Sequence, residues 1–294
     1  MEKGQTMKTA VFAYDFPHKK TQDFIIKMHI YGIKPSMVVA SPPVNLKLPK
    51  TILRDKYRSV DLMHPRELCG DLGIPYIQMP HTASGLPGLL REKGIKLGII
   101  AGARILSGRV IESVTGGIIN FHPGLIPENR GLNAVKWAVY LNLPQAVTAH
   151  FIDRRVDAGR LIRRYLVPVY PDDGIKDINA RVYETQTAAL VTIIRHCMSA
   201  GMDHEPIGKY GGYHPPADER IDKGVMERFE EYKRFWSYDA NGRRCVCGAV
   251  LPGGDAAKVR CDSCGRGYRP AKVGRLDVLE IREVAAGQKE TANR

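Results

Sequence analysis

Short apolar runs alternate with amphipathic segments along the first two thirds of the chain. Residues 8–14, 37–40 and 96–101 are almost wholly apolar, as expected of strands that are buried on both faces. Segments such as 21–31 and 177–196 carry apolar residues three or four positions apart, which is typical of helices that cover a sheet. The alternation predicts an α/β fold with a Rossmann-like, mostly parallel sheet.

The pattern also suggests where the chain divides. We expect one main α/β domain over residues 1–202 and, after it, a linker or flap rich in Gly, Pro and Tyr over residues 203–240. A small zinc ribbon is predicted for residues 241–276, followed by a C-terminal tail over residues 277–294.

Composition narrows the class of protein. The 294 residues are 44% hydrophobic and 26% charged, which is ordinary for a globular chain. We find no apolar run near the roughly 20 residues that a membrane helix needs, and no signal-peptide core, so a cytoplasmic protein without membrane contact is expected. The formal charge of +13 favours anionic partners without choosing among them.

Two polar residues end the predicted strand 117–122. Asn120 and His122 are two positions apart, so their side chains lie on the same face of that strand. Ligands of α/β sheets bind beyond the carboxyl ends of the strands, which is where this pair emerges. Taken singly, an Asn or a lone His in such a place is more often a turn former or a structural residue.

The segment Asn120-Phe-His-Pro-Gly-Leu-Ile-Pro127 resembles a motif of the folate-dependent formyltransferase superfamily, which includes phosphoribosylglycinamide, methionyl-tRNA and sugar N-formyltransferases. Two further elements follow in the family's order, Val147-Thr-Ala-His150 and Asp157-Ala-Gly159. The resemblance implies a formyltransferase fold and transfer of a formyl group from 10-formyltetrahydrofolate to an amine. Asn120, His122 and Asp157 would be the catalytic residues.

The chemistry of formyl transfer explains this residue set. The reaction passes through a tetrahedral intermediate whose oxygen gains negative charge, and the Asn120 amide and a protonated His122 are suitable donors. Asp157 would hold His122 in the required state and relay the proton that the attacking amine loses. We favour a structural role for His150.

The same resemblance implies binding residues. The stretch 101–107 resembles the family's folate loop, so Arg104, Ile105 and Leu106 are expected to contact the pterin, together with Ile152, Asp153 and Val156. The loop that follows residue 127 resembles that of the sugar N-formyltransferases, which makes Asn129, Arg130 and Trp137 candidate acceptor contacts.

The acceptor itself stays open. The turn after the first strand, residues 14–20, has no glycine, whereas phosphoribosylglycinamide formyltransferase holds its substrate phosphate with a Gly-rich turn there. An amino-sugar nucleotide is our first candidate, and aminoacyl-tRNA or another nucleotide-related amine are alternatives. A formyltetrahydrofolate deformylase, with water in place of the amine, is another.

Four cysteines near the C-terminus have the spacing of a metal site. Cys245, Cys247, Cys261 and Cys264 form two pairs, which predicts a structural zinc ion. Basic residues surround them, so nucleic-acid binding by the ribbon is an alternative, either beside the enzyme activity or on an inactive transferase body. The oligomeric state is open, and a homodimer is compatible with the sequence.

Overall fold

The computed structural model describes residues 7–157, 159–199, 204–207, 212–238, 243–251, 259–273 and 276–282. The strands are β1 (Thr9–Tyr14), β2 (Met37–Ser41), β3 (Tyr76–Gln78), β4 (Leu97–Ile100), β5 (Ile118–His122), β6 (Arg130–Gly131), β7 (Ala146–Phe151), β8 (Arg160–Leu166), β9 (Glu205–Pro206), β10 (Tyr213–His214), β11 (Val259–Arg260), β12 (Gly267–Val273) and β13 (Leu276–Arg282). The helices are α1 (Lys19–Ile30), α2 (Pro65–Asp71), α3 (Leu86–Glu92), α4 (Gly108–Ser113), α5 (Ala134–Tyr140), α6 (Ile175–Ser199) and α7 (Glu219–Trp236).

The predicted α/β fold with a Rossmann-like sheet is confirmed, and the sheet is mixed rather than mostly parallel. Its order is β11-β12-β13-β8-β7-β5-β4-β1-β2-β3, with β9 also paired to β8. Pairs from β3 to β5 are parallel, and pairs from β5 onward are antiparallel. Only a short loop joins β7 to β8, and a parallel pair would need a longer crossover.

The sheet is covered on both faces by helices with apolar stripes. Phe24 and Met28 of α1 pack with Leu190 and Ile194 of α6 on one face. Helices α3 and α4 cover the other face. β5 therefore lies inside the sheet, between β4 and β7, and its carboxyl end opens at the crevice where the candidate site forms.

The stretch predicted as a linker contains a packed helix. α7 begins at Glu219, because the Asp218 carboxylate accepts the backbone N–H of Ile221 and caps it. Val225 and Trp236 of α7 are buried with Val135 of α5 in a second core. α5 itself begins at Ala134.

The C-terminal strands extend the main sheet. β12 and β13 form an antiparallel hairpin, and β13 pairs with β8 through Leu279 opposite Leu166. The first part of the predicted tail is thus a strand, whereas residues 283–294 lie outside the described residues. Within the described part of the chain, no helix is long and apolar enough to cross a membrane.

Candidate active site

The structure brings Asn120, His122 and Asp157 together at the end of β5. Asp157 Oδ2 lies 3.4 Å from His122 Nδ1, and Asp157 Oδ1 accepts from Asn120 Nδ2 at 3.3 Å. The loop after β7 turns sharply to deliver the carboxylate: Asp157 has a φ of 48°, and a side chain at Gly159 would collide with the carbonyl oxygen of Phe151. The Asp-x-Gly sequence is therefore required by local geometry as well as by chemistry.

The orientation of His122 is set by a backbone carbonyl. The ring is 3% exposed, and its Nε2 donates to the carbonyl oxygen of Asn129 at 2.8 Å. Because a carbonyl only accepts, Nε2 carries a proton and Nδ1 is the position that faces Asp157. A second proton on Nδ1 would complete an imidazolium–carboxylate pair, so this nitrogen can gain or release a proton within the site.

His150 belongs to the same network. Its Nε2 lies 3.3 Å from Asn120 Nδ2 and 3.8 Å from Asp157 Oδ1, and its Nδ1 faces the carbonyl oxygen of Phe151. Burial lowers the pKa of His150 to about 4, so the ring is neutral at pH 7. A neutral ring protonated on Nδ1 accepts from Asn120 through Nε2, which leaves the Asn120 amide shared between His150 and Asp157.

Lys20 is a polar residue of the site that the sequence analysis missed. Its Nζ donates to the carbonyl oxygen of Phe121, between Asn120 and His122 on β5, and to Gln186 Oε1. Burial and the charge of Lys56 lower the pKa of Lys20 to about 7. The sequence held one signal: Lys20, Phe24 and Met28 are spaced at four residues, which puts the lysine on the buried face of α1.

A cavity of about 1390 Å³ opens beside Lys20. Its walls are α1, α6, the residues that follow His122 and a strap formed by residues 51–62. Asp222 accepts the backbone N–H groups of Ile52 and Leu53 at one end of the strap, and Gln22 donates to the carbonyl oxygen of Asp61 at the other. Asp222 also pairs with buried Lys136 at 2.6 Å.

Part of the chain is similar in sequence to known formyltransferases. Residues 84–194 match the family model described as formyl transferase. This segment is similar to formyltransferase domains. A phosphoribosylglycinamide formyltransferase from Haemophilus influenzae is 30% identical over 108 residues, which are 36% of this chain and 51% of that protein. The chain therefore spans about half the length of that relative.

Solved structures share the formyltransferase fold. A sugar N-formyltransferase from a Shewanella species superposes with a TM-score of 0.55 at 18% identity, over 83% of this chain and 95% of that one. Phosphoribosylglycinamide formyltransferase from Streptococcus pneumoniae gives 0.50 at 22% identity, over 66% of this chain and 99% of that one. At these identities the likeness concerns the fold alone.

The residues expected to contact folate lie in two segments, one after β4 and one after β7. Ile105 is 74% exposed, whereas Leu106 is buried in the core beneath α4. The guanidinium of Arg104 lies over the ring of Tyr14, at 5.8 Å from its centroid. In the second segment, Asp153 accepts from Arg155, and the Val156 carbonyl accepts from Arg130. Folate contact by this set, which includes Ile152, stays a prediction.

The predicted acceptor residues are mostly engaged inside the protein. Asn129 is buried and its Nδ2 donates to the carbonyl oxygen of Ala134. The Trp137 indole is stacked on His214 and donates to the carbonyl oxygen of Pro215. Arg130 spans the two predicted binding segments through its bond to Val156. These contacts explain the packing of the loop, and acceptor binding by the three residues stays a prediction.

The four C-terminal cysteines converge. The Sγ atoms of Cys245, Cys247, Cys261 and Cys264 all lie within 4.8 Å of one another. Cys245 and Cys264 are 3.4 Å apart, and Cys247 and Cys261 are 3.7 Å apart. The Tyr268 hydroxyl lies 3.0 Å from the Cys245 sulfur. Four thiols gathered in this way form a donor set for a soft, tetrahedral metal ion.

Proposed function

We propose that this chain transfers a formyl group from 10-formyltetrahydrofolate to an amine. The observation that carries the proposal is the contact of His122 Nδ1 with Asp157 at the carboxyl end of β5, with Asn120 beside them. The site is lined by groups that hold or move protons, and no described cysteine lies beside it to act as a nucleophile. Direct attack by the acceptor amine is the chemistry that such a site supports.

Each catalytic residue has a separate task. As the amine attacks the formyl carbon, the formyl oxygen gains negative charge, which the Asn120 amide and the Nδ1 proton of His122 meet by hydrogen bonds. Asp157 accepts the proton that the attacking nitrogen loses, through water, and the departing folate nitrogen takes a proton in return. Their contacts with Asp157 in the resting site keep both groups close to their working positions.

The cavity beside Lys20 supports an acceptor that carries negative charge. Lys20 is partly buried and bonds to two neutral oxygens; within the described residues its nitrogen forms no ion pair. A partly desolvated cation gains most from an anionic ligand, because water screens the attraction less there. We therefore propose an anionic amine, with an amino-sugar nucleotide as the first acceptor to test.

An acceptor screen tests the proposal. Purified protein would be mixed with 10-formyltetrahydrofolate and, in turn, amino-sugar nucleotides, glycinamide ribonucleotide, aminoacyl-tRNA or no acceptor. Release of tetrahydrofolate that depends on one amine, with the formylated product seen by mass spectrometry, is the expected result. Equal release without acceptor would identify a deformylase, and no release with any of them would contradict the proposed transfer.

We also propose that the cysteine cluster holds a structural zinc ion. Zn–S bonds of about 2.3 Å in a tetrahedron put sulfur atoms about 3.8 Å apart, close to the observed separations. Burial raises the pKa of the Cys245 thiol, so a bound cation would supply the stabilisation that its thiolate needs. Purified protein should contain about one zinc per chain, and Cys261→Ser should lose it; unchanged metal content in that variant would remove the site.

A further inference from the structure

The loop from Leu125 to Arg130 lies between the catalytic histidine and the cysteine cluster. On the ribbon side, Leu125 is buried in one apolar cluster with Cys245, Cys261 and Tyr268. Close by, the Glu128 carboxylate lies 3.6 Å from the Arg266 guanidinium. The ribbon thus contacts this loop through an apolar residue and through an ion pair.

The opposite side of the loop holds His122. The Asn129 carbonyl accepts from His122 Nε2 at 2.8 Å and thereby decides which ring nitrogen faces Asp157. Asn129 is itself fixed, since its backbone N–H donates to the Leu125 carbonyl and its side chain to the Ala134 carbonyl. A displacement of Leu125 or Glu128 is therefore passed to the carbonyl that orients the imidazole.

The position of Arg266 depends on the turn that carries Cys261 and Cys264, which we call the knuckle. Its carbonyl accepts the backbone N–H of Cys261 at 2.9 Å, and the Gly265 N–H donates to the Cys261 carbonyl at 2.8 Å. These bonds close a tight turn whose two cysteines are ligands of the cluster. A metal that joins the knuckles would hold this turn, and with it the partner of Glu128.

We infer that the ribbon is part of the catalytic apparatus. Arg266 and the metal-bound knuckle act as positioning groups that hold the Leu125–Arg130 loop. Through the Asn129 carbonyl, this loop fixes the orientation of His122. The inference rests on the proposed formyl transfer. The ion pair and the Leu125 contact differ in how strongly they can hold the loop. Arg266 and Glu128 are 40% and 33% exposed, so water screens their attraction, whereas the Leu125 contact is fully buried.

A charge-exchange experiment tests the ion pair. Glu128→Arg and Arg266→Glu should each lower kcat about threefold to tenfold with the KM for folate nearly unchanged, and the double exchange should recover most of the loss. The matched control is Lys272→Glu, which breaks an ion pair with Asp277 elsewhere on the same hairpin. Its kcat should equal that of the wild type. Equal losses in the control, or no recovery in the double exchange, would overturn the role of Arg266.

Metal removal tests the knuckle with a readout beside activity. In Cys264→Ser, zinc content should fall and the ¹⁵N shifts of the His122 ring should change, because the bond to Asn129 no longer fixes Nε2 as the protonated position. kcat should fall about tenfold or more while the main domain stays folded by circular dichroism. Loss of zinc with an unchanged His122 signal would refute the coupling. The ring signal is informative even if the acceptor screen fails, so the two proposals can fail separately.

Discussion

The carboxylate of Asp157 joins His122 to the loop opposite: one oxygen, Oδ2, lies 3.4 Å from His122 Nδ1 and also accepts the backbone N–H of Gly131 at 3.0 Å. The other oxygen accepts from Asn120. One side chain therefore sets the relative positions of both proposed catalytic donors and of the segment after residue 127.

Removal of this charge should abolish most turnover. Asp157→Asn keeps the shape but replaces an acceptor of protons with an amide, so kcat should fall about 10²- to 10⁴-fold with little change in the KM for folate. Steady-state kinetics with the identified acceptor measure this. His122→Ala should be at least as severe, and melting curves close to that of the wild type would show that the fold survives. Near-normal kcat in either variant would refute the proposed mechanism.

The two adjacent lysines of α1 provide a matched test of the acceptor cavity. Both lysines line the cavity, but Lys20 contacts β5 and forms no ion pair among the described residues, whereas Lys19 is exposed and already pairs with Asp23 at 2.8 Å. Lys20→Met should raise the acceptor KM about tenfold or more, because a partly desolvated charge–charge contact is lost. Lys19→Met should change it less than twofold. Equal effects in the two variants would mean that the cavity does not bind the acceptor's charge.

The acceptor dependence should also vary with pH. Because the pKa of Lys20 is lowered to about 7, the free enzyme loses this positive charge as the pH rises through that value. The kcat/KM for the acceptor should therefore decline above about pH 7, and Lys20→Met should lack that limb. A profile of kcat/KM between pH 6 and 9 for the two proteins tests it, and an identical decline in both would assign the limb to another group.

Stability should decrease in weak acid. Burial lowers the pKa of His150 from 6.5 to about 4. Between these two pH values, His150 binds a proton in the unfolded chain but not in the folded protein. The penalty is absent above about pH 6.5, grows as the pH falls, and amounts to about 3 kcal/mol below pH 4. His150→Gln should unfold with a shallower dependence on pH in urea titrations, although His18, lowered to the same range, keeps part of the slope.

The buried ion pair that anchors the strap should be intolerant of single changes. Lys136 and Asp222 are 2% and 0% exposed, so Lys136→Met leaves a buried carboxylate unpaired and should destabilise the fold by about 3–5 kcal/mol. Adding Asp222→Asn removes the charge and keeps an acceptor for Ile52 and Leu53, so the double variant should recover part of that loss. A single variant as stable as the wild type in urea would show that the pair contributes little.

The sequence sufficed for much of the site because its signals are local. Asn120 and His122 share a strand face because side chains alternate along a strand. The turn at Asp157 and Gly159 uses residue types that suit a positive φ and a close approach of the backbone. The strands of the parallel half were predictable for the same reason, since they read as continuous apolar runs.

The remainder depends on contacts between distant segments. The residues near Lys20 in the sequence do not indicate that Gln186 will contact it. The strap likewise bonds to residues far along the chain, Asp222 and Asp177 among them. The pairing of β13 with β8 was likewise not predictable, because the alternation of apolar and polar residues along a strand specifies its two faces but not the strand beside it. The linker expectation understates the packing of α7, because the Gly and Pro residues around it dominate the composition.

The place of the C-terminal hairpin in the sheet has a consequence for synthesis on the ribosome. β8 receives its neighbour β13 only after residues 276–282 have been made, whereas β1 to β7 are complete long before. Until then, the outer edge of β8 near Leu166 presents unpaired amides and carbonyls of the kind that recruit strands from other chains. A shortened or stalled chain that lacks β13 should therefore self-associate through this edge, and the pairing of β13 with β8 prevents that association within the folded chain.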